Sequence, residues 1–520
     1  MIGQGGAARW LDPLLPTLPE LTACDTAALV RFEGALRSLL DAHPVWGLAD
    51  AGERSRNLRE IRGGLAGAGC LALAVPARDG GHGRPPAVQV LLQFICGYHD
   101  VDLRDSTGLG HGRLIAAHAT PRVRDRWLPR LLAGSVPGIA ITERHGGSQV
   151  HATATHAVPA GDGTWRVSGN KTWISRLTEA AVFCVFFTAP DGRLTAAAID
   201  AGADGLSRRL ITPSGLAGWA WGELRLDAVA VRPFEILGQP GDGMRLLHEH
   251  FALYRPLVAA TALGAAAAVH DQTVTLLTGR RESGVIARIR DNALITLGRT
   301  WAQLNAALLA AITAYRLADT GHPAAQTWGC AVKANGADVA YQAASELALL
   351  AGAVGFTSDS RTAKTRADLN ALLYADGIHD SLYRAVGRTF TRSGGGQATG
   401  LPFSSDATVP AATACRHDAT RRASSGVTRL ATSSLRTNAK SESSPSASTI
   451  SLVSASDSTP PSYTTIRPSG RSGRDGTQST ASIRPGGRSS PSSSATSRRQ
   501  AACGDSSAST APPGRSQASL

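Results

Sequence analysis

The sequence predicts an α+β fold: an N-terminal helical domain over residues 1–138, a central β-barrel-like domain over 139–235, a C-terminal four-helix bundle over 236–393, and a disordered Ser/Arg-rich tail over 394–520. Three observations point there. Apolar residues recur at three- and four-residue spacing up to about residue 133 and again beyond 243, which is a helical period. Between these blocks lie β-prone runs punctuated by Asp-Gly pairs. Beyond Gly396 the composition shifts abruptly to Ser, Arg, Thr, Pro and Ala.

In the first block, ALVRFEGALRSLLDAH and VQVLLQFICGYHD read as amphipathic helices, and the sharpest loop is Val75-Pro76-Ala77-Arg78-Asp79-Gly80-Gly81-His82-Gly83. In the middle, TWRVSG, AAVFCVFFTA and LTAAAID read as strands, with Asp-Gly at 162–163 and 191–192 as hairpin turns. After Gly241-Asp242-Gly243, three stretches up to about Arg392 are each long enough for a bundle helix, and their abundant alanine implies close helix approach.

The tail reads differently. Residues 398–520 hold 31 serines, 14 Lys+Arg against 6 Asp+Glu, and only Phe403 and Tyr463 as aromatics, too little apolar surface to offset chain entropy. They carry +8 of the net +13, leaving an ordinary +5 for the rest. Nucleic-acid binding through phosphates is one reading, but the tail lacks interleaved aromatics; a disordered tail, or a stretch read in the wrong frame, fits its composition better.

Seven dispersed cysteines without a CxxC favour free thiols in a reducing cytosol over a disulfide framework or zinc site. The N-terminus lacks a basic region followed by an apolar run, and alanine-rich runs such as Ala259 to Val269 are too short to span a bilayer. A soluble, cytoplasmic protein without a membrane partner is expected. His248-Glu249-His250 reads as a solvated polar face and not a metal site, since residues two apart do not share a helix face. No GxGxxG follows a strand and no Walker sequence is present.

Two segments carry chemistry. Ile141-Thr142-Glu143-Arg144-His145-Gly146-Gly147-Ser148 combines hydroxyls with glycines that admit close approach of a flat polar ligand; the plainer reading is a glycine turn between strands. Val167-Ser168-Gly169-Asn170-Lys171-Thr172-Trp173-Ile174-Ser175 offers an indole to pack on a ring system and a hydroxyl at its edge, or simply a core tryptophan.

Together, and with the lead-in Leu128-Pro129-Arg130-Leu131-Leu132-Ala133-Gly134, these segments resemble the TEPxAGSD and NGxKxWIT pattern of the FAD-dependent acyl-CoA dehydrogenase superfamily. The resemblance continues in order: Val75-Pro76 to Gly83 with VPxxxGGxG, Arg280 to Gly284 with RxxFG, and Leu349 to Phe356 with QxxGGxGF, covering about three quarters of the chain. It implies FAD, an acyl-CoA or acyl-carrier-protein substrate, an electron-transfer protein as partner, and a homo-oligomer, dimer or tetramer. By position, Thr142, Ser148, Trp173, Ser175, Arg280 and Gly352 would meet the cofactor, and Arg255 and Gly377 the substrate. Arg280 would reach the FAD of a neighbouring subunit, or else make a surface salt bridge, since Ser283 and Leu349 replace the motif phenylalanine and glutamine.

The family base sits in YEGT; here the matching stretch is Tyr374-Ala375-Asp376-Gly377, so the resemblance puts Asp376 at the base position, one methylene shorter. Asp376 is then either the group that takes an α-proton while flavin accepts a β-hydride, or an N-cap of the last helix. Asp376 and Asp380, four apart, would share a helix face. The departures suggest a specialised pathway such as secondary metabolism. The competing readings are a flavin oxidase or monooxygenase on the same scaffold, and a non-catalytic protein that binds through its tail.

Overall fold

The computed structural model describes residues 6–391 apart from 49, 148 and 358, so the expectations for the tail and for Ser148 lie outside the described residues. Helices α1 (Ala8–Leu11), α2 (Ala23–Ala42), α3 (Ala51–Gly67), α4 (Pro86–His99), α5 (Arg113–His118) and α6 (Pro121–Leu132) form the N-terminal region. Helix α2 starts at a capping box in which Thr22 and Asp25 satisfy each other's backbone N–H groups. Its Leu29, Phe32 and Leu36 enter a core shared with α4 and the C-terminal helices. After α4 the chain runs through the short 3-10 segment Val101–Ser106, whose side chains are all buried.

Strands β1 (Val136–Ala140), β2 (His156–Pro159), β3 (Trp165–Ile174), β4 (Ala180–Thr188), β5 (Leu194–Asp200), β6 (Leu206–Leu210), β7 (Gly222–Val231) and β8 (Ile236–Leu237) follow. The two Asp-Gly pairs do turn the β2–β3 and β4–β5 hairpins, with Gly163 at φ 79° and Gly192 at φ 80°. The order is β6-β7-β3-β2-β4-β5-β8, with β1 parallel to β4. The barrel-like expectation needs correcting here: the sheet is not closed. Its two antiparallel halves join through a single pair, His156 with Thr188, and β6 and β8 remain as edges. Strand β4 explains its own apolar run. Val182, Cys184 and Phe186 face the helices, while Phe183, Val185 and Phe187 face the other half of the sheet, so both faces are buried.

Helices α7 (Gly243–Glu282), α8 (Asp291–Asp319), α9 (Ala325–Ala351), α10 (Arg361–Leu372) and α11 (His379–Thr391) complete the described chain. The alanine-rich faces do permit close approach. Where α4 crosses α7, a Cβ at Gly97 would stand 1.9 Å from the Thr261 carbonyl oxygen and one at Gly264 2.0 Å from that of Phe94, so the two backbones touch through paired glycines. The length expected of the apolar runs was too short. Both α7 and the run Ala325–Phe356 are long and apolar enough to cross a bilayer, yet 89% of the α7 window is buried inside the protein.

Candidate active site

The first motif segment leaves β1 and is tied to the second by Thr172 N donating to Thr142 O at 2.8 Å. Beneath them Lys171, fully buried, donates to Glu143 Oε1 at 2.7 Å and to Ile141 O at 3.1 Å. Glu143 also accepts from the backbone of Ala154 and Thr155. Burial raises the Glu143 carboxyl, but the bonds from Lys171, Thr155 and these N–H groups outweigh it and bring it to about 2. Burial pushes Lys171 down to about 8 against the pull of Glu143. This pair, unassigned in the sequence, fixes the two segments side by side. On that base the ladder between β3 and β7 shifts register between Lys171 and Ile174, and Trp173 takes φ 57° with 56% of its surface exposed. A left-handed non-glycine residue costs about 1–3 kcal/mol. The bulge turns an indole outward that a regular strand would place elsewhere; Ser175, two residues on, is buried.

Arg176 also has φ 57° and leads inward. Its guanidinium donates to Asp105 Oδ2 at 2.9 Å, to Gly218 O at 3.0 Å and to Asp102 O at 2.9 Å. Asp105 accepts from Tyr254 Oη at 3.1 Å. Burial opposes its charge, but Arg104 and Arg176 outweigh that and hold its carboxyl well below the usual range. Arg104, 2% exposed, lies with its guanidinium carbon 3.7 Å from the ring centroid of the fully buried Trp219. Its Nη1 donates to Asp376 Oδ2 at 2.6 Å.

Asp376 lies in the loop between α10 and α11 at φ 57°, so it neither caps α11, which begins three residues later, nor shares a helix face with Asp380. Both of those expectations fail because the loop turns Asp376 inward to Arg104, while Asp380 sits exposed beside His379. The other two predicted substrate residues do join Asp376. Arg255 Nε donates to Asp376 O at 3.3 Å, and Gly377 O accepts from Lys333 Nζ at 2.6 Å. Lys333 also holds Leu372 O at 2.8 Å; burial pushes its ammonium down to about 8. The sequence reading missed Arg104, Trp219 and Lys333. A lone lysine on the alanine face of α9 was the one signal available.

His250 corrects the reading of His248-Glu249-His250. Histidines 248 and 250 do diverge, but only His248 is exposed. His250 is buried, stacks on Tyr254 and meets His111 at 3.0 Å; burial brings His111 to about 4 and His250 well below its ordinary value, so both are neutral. A buried trio, Asp100, Asp102 and Asp368, surrounds Lys364, whose ammonium lies within 3.2 Å of each carboxylate and already supplies a cation.

Arg280 and Gly352 lie together but elsewhere. Arg280 Nη2 donates to Ala351 O at 3.1 Å, beside Gly352, whose φ is 71° with open space where a Cβ would stand. Twenty-five residues of α7 separate Arg280 from Arg255, about 37 Å along a helix. Within one chain the two groups therefore do not share a site.

Known proteins resemble the chain in sequence and in fold. The acyl-CoA dehydrogenase middle domain matches residues 138–229 and the acyl-CoA dehydrogenase C-terminal domain residues 241–390. The probable short/branched chain specific acyl-CoA dehydrogenase of Dictyostelium discoideum is 30% identical over 241 residues, 45% of this chain and 58% of that protein, so the chain spans little more than half its length. Among solved structures, a glutaryl-CoA dehydrogenase from Mycobacterium smegmatis in complex with FADH2 is similar at TM-score 0.63 with 19% identity, covering 74% of this chain and 98% of that one. The prolyl acyl carrier protein oxidase AnaB is similar at TM-score 0.61 with 17% identity, covering 71% and 99%. On its helical, sheet and helical order and these two matched domains, the chain belongs to the acyl-CoA dehydrogenase superfamily.

Proposed function

We propose that the chain is an FAD-dependent acyl-thioester dehydrogenase in which Asp376 takes the α-proton. The observation that carries this reading is a continuous path of contacts. It runs from the Trp173 shelf through Ser175 and Arg176 to Asp105 and Trp219, and on through Arg104 to Asp376. The shelf fits a flavin: an exposed indole to pack on the ring, Thr142 and Ser175 with hydroxyls, and Gly147 close enough to Thr142 that a Cβ would stand 3.3 Å away. Bound FAD supplies the two-electron acceptor for the β-hydride. The chain itself orients the acyl group, and Asp376 holds the abstracted proton on a carboxylate oxygen. The acyl group rides on CoA or an acyl carrier protein.

The test is the visible spectrum of the full chain before and after anaerobic addition of acyl thioesters on both carriers. Thioester-dependent bleaching of bound flavin is expected; flavin that no thioester bleaches overturns the dehydrogenase reading. A second reading, a flavin oxidase on the same scaffold, is favoured by the similarity to a protein named as an acyl carrier protein oxidase. Oxygen uptake equal to turnover selects it; transfer of electrons to a separate electron-transfer protein selects the first.

The same proposal includes a homo-oligomer whose copies share each flavin, supported by the separation along α7 of Arg280 from Arg255, which holds the Asp376 loop, and by exposed Leu349, Val354 and Phe356 around Gly352. It also includes a cytoplasmic location, supported by dispersed cysteines of which the five described are free, and a place in secondary metabolism, supported by the aspartate at the base position.

A further inference from the structure

We propose that Asp102 and Asp368 hold one proton between them, and that this proton makes them positioning residues: it keeps the segment bearing Arg104, the loop bearing Trp219 and helix α10 pressed together behind the Asp376 loop. The consequence for rate rests on the dehydrogenase reading; the proton itself does not.

The argument begins with charge. Asp100, Asp102 and Asp368 are buried, with a carboxylate oxygen of each within 4.8 Å of the others. The cation in contact with them is Lys364, whose Nζ lies 2.7 Å from Asp100 Oδ1, 2.6 Å from Asp368 Oδ2 and 3.2 Å from Asp102 Oδ2. The neighbouring guanidiniums are engaged elsewhere. Arg361 of α10 stands beside Asp100 but donates to the carbonyls of Tyr98 and His99. Arg54 of α3 brings its Cδ to the same Gly218 that covers Asp102, yet its Nη2 donates to Leu48 O. Arg176 takes the Asp102 carbonyl and the Asp105 carboxylate. Three buried carboxylates therefore meet one ammonium.

The uneven supply of donors says where a proton is held. Asp100 Oδ1 accepts from Lys364 and from Asp102 N at 2.9 Å; burial opposes its charge, but Lys364, this N–H and Arg361 outweigh it and hold the carboxyl below its ordinary value. Asp368 accepts from Lys364 and from Leu216 N at 2.7 Å. Asp102 is fully buried, and neither of its oxygens accepts a hydrogen bond, the approach of Lys364 being out of line for one. An ionised carboxylate so placed is costly, and like charges this close away from water do not both persist. Burial, with the charges of Asp102 and Asp100, pushes the Asp368 carboxyl up to about 7 against the pull of Lys364.

Position gives the proton its work. Asp100 and Asp102 open the 3-10 segment that carries Arg104. Asp368 holds Leu216, three residues before Trp219, and lies on α10 four residues before the Leu372 carbonyl that Lys333 grips. A Cβ at Gly218 would stand 2.7 Å from Asp102 Oδ2, so the Trp219 loop closes directly on the unbonded carboxylate. Once the proton leaves, Asp102 and Asp368 repel across this junction, and Arg104 loses its fixed seat between Trp219 and Asp376.

Infrared spectroscopy of the full-chain protein reads the proton directly. The expected result is a carboxylic-acid carbonyl band that disappears with a midpoint near 7, and at least about one pH unit lower in Asp102→Asn. A wild type without such a band above about pH 5, or a midpoint that the variant leaves in place, overturns the proposal. The wild-type band decides even if the variant does not fold. Melting profiles separate the proton from packing. The folded value of Asp368 near 7 lies above its ordinary 3.8, so its stabilisation is complete below 3.8 and is lost as pH rises through 7. Asp102→Asn, isosteric and uncharged, is expected to flatten that fall and to melt above wild type at about pH 8; parallel profiles overturn the proposal. Flavin bleaching by thioesters is expected to slow over the same window in wild type and less so in the variant, and equal slowing overturns the positioning role. No bleaching at all sinks the dehydrogenase reading instead, and the infrared result still decides the proton.

Discussion

The Trp173 shelf and the Asp376 loop meet at one buried cluster, yet the first is open and the second clamped. Trp173 stands 56% exposed on a strained bulge, with apolar surface that a flat ring covers without breaking any bond. Asp376 is held by Arg104 through its side chain and by Arg255 through its carbonyl, while Lys333 pins Gly377. The difference teaches how the work divides. On the proposed reading a planar cofactor binds by covering surface that already exists, whereas a substrate that uses Asp376 meets a carboxylate whose Oδ2 is already bonded to Arg104. On the same reading, retention of the cofactor belongs to the shelf and rate belongs to the clamp.

Substitutions can break that division. The largest effect is expected of Asp376→Asn: flavin stays bound, and anaerobic single-turnover bleaching slows by about 10²- to 10⁴-fold. Near-normal bleaching would make the clamp merely structural. Next, Lys333→Met leaves two carbonyls without their donor and is expected to cost about 1–3 kcal/mol in urea unfolding, with slower turnover and unchanged flavin content. Loss of flavin as well would join the two regions into one unit.

Trp173→Gly acts on the other side. Removing the left-handed strain is expected to stabilise the flavin-free chain by about 1 kcal/mol while weakening flavin retention, read from unfolding midpoints and the spectrum after gel filtration. A variant that keeps its flavin would show that the indole is not the shelf. The smallest effect concerns pH. Glu143 is depressed to about 2 from an ordinary 4.5, so its contribution to stability is fully present above 4.5 and is lost as pH falls through 2. Glu143→Gln should flatten the acid limb of a thermal-stability profile over that window, and an unaltered limb would place the acid sensitivity elsewhere.

The sequence made much of this fold legible because period and turn chemistry are local. The Asp-Gly hairpins, the alanine-rich helices and the β-prone runs lie where their patterns placed them. The motif segments were legible too: the sequence offered Trp173 either as an indole for a ring system or as a core tryptophan, and the structure exposes it. Its bulge was not, since it depends on register with β7, a partner some fifty residues away. Asp376 was found through its glycine neighbour, but Arg104 was not: it sits in a short 3-10 segment without period or motif, 272 residues from the carboxylate it binds. Lys333 showed only as a charge among alanines. His250 went wrong for a related reason: a polar triplet at a helix start looks solvated until α5 and the segment before it bring His111 against it.

The length of α7 has one more consequence, in genetic terms. A helix of 40 residues is about 60 Å long, with Arg255 serving the Asp376 loop toward one end and Arg280 standing at the other. If each flavin is shared between copies as proposed, every composite site takes its base from one chain and its Arg280 from another. Two defective alleles then complement. When an Asp376→Asn chain and an Arg280→Ala chain assemble together, one site of the pair inherits both lesions and the other inherits neither, so the mixture regains activity that neither parent has.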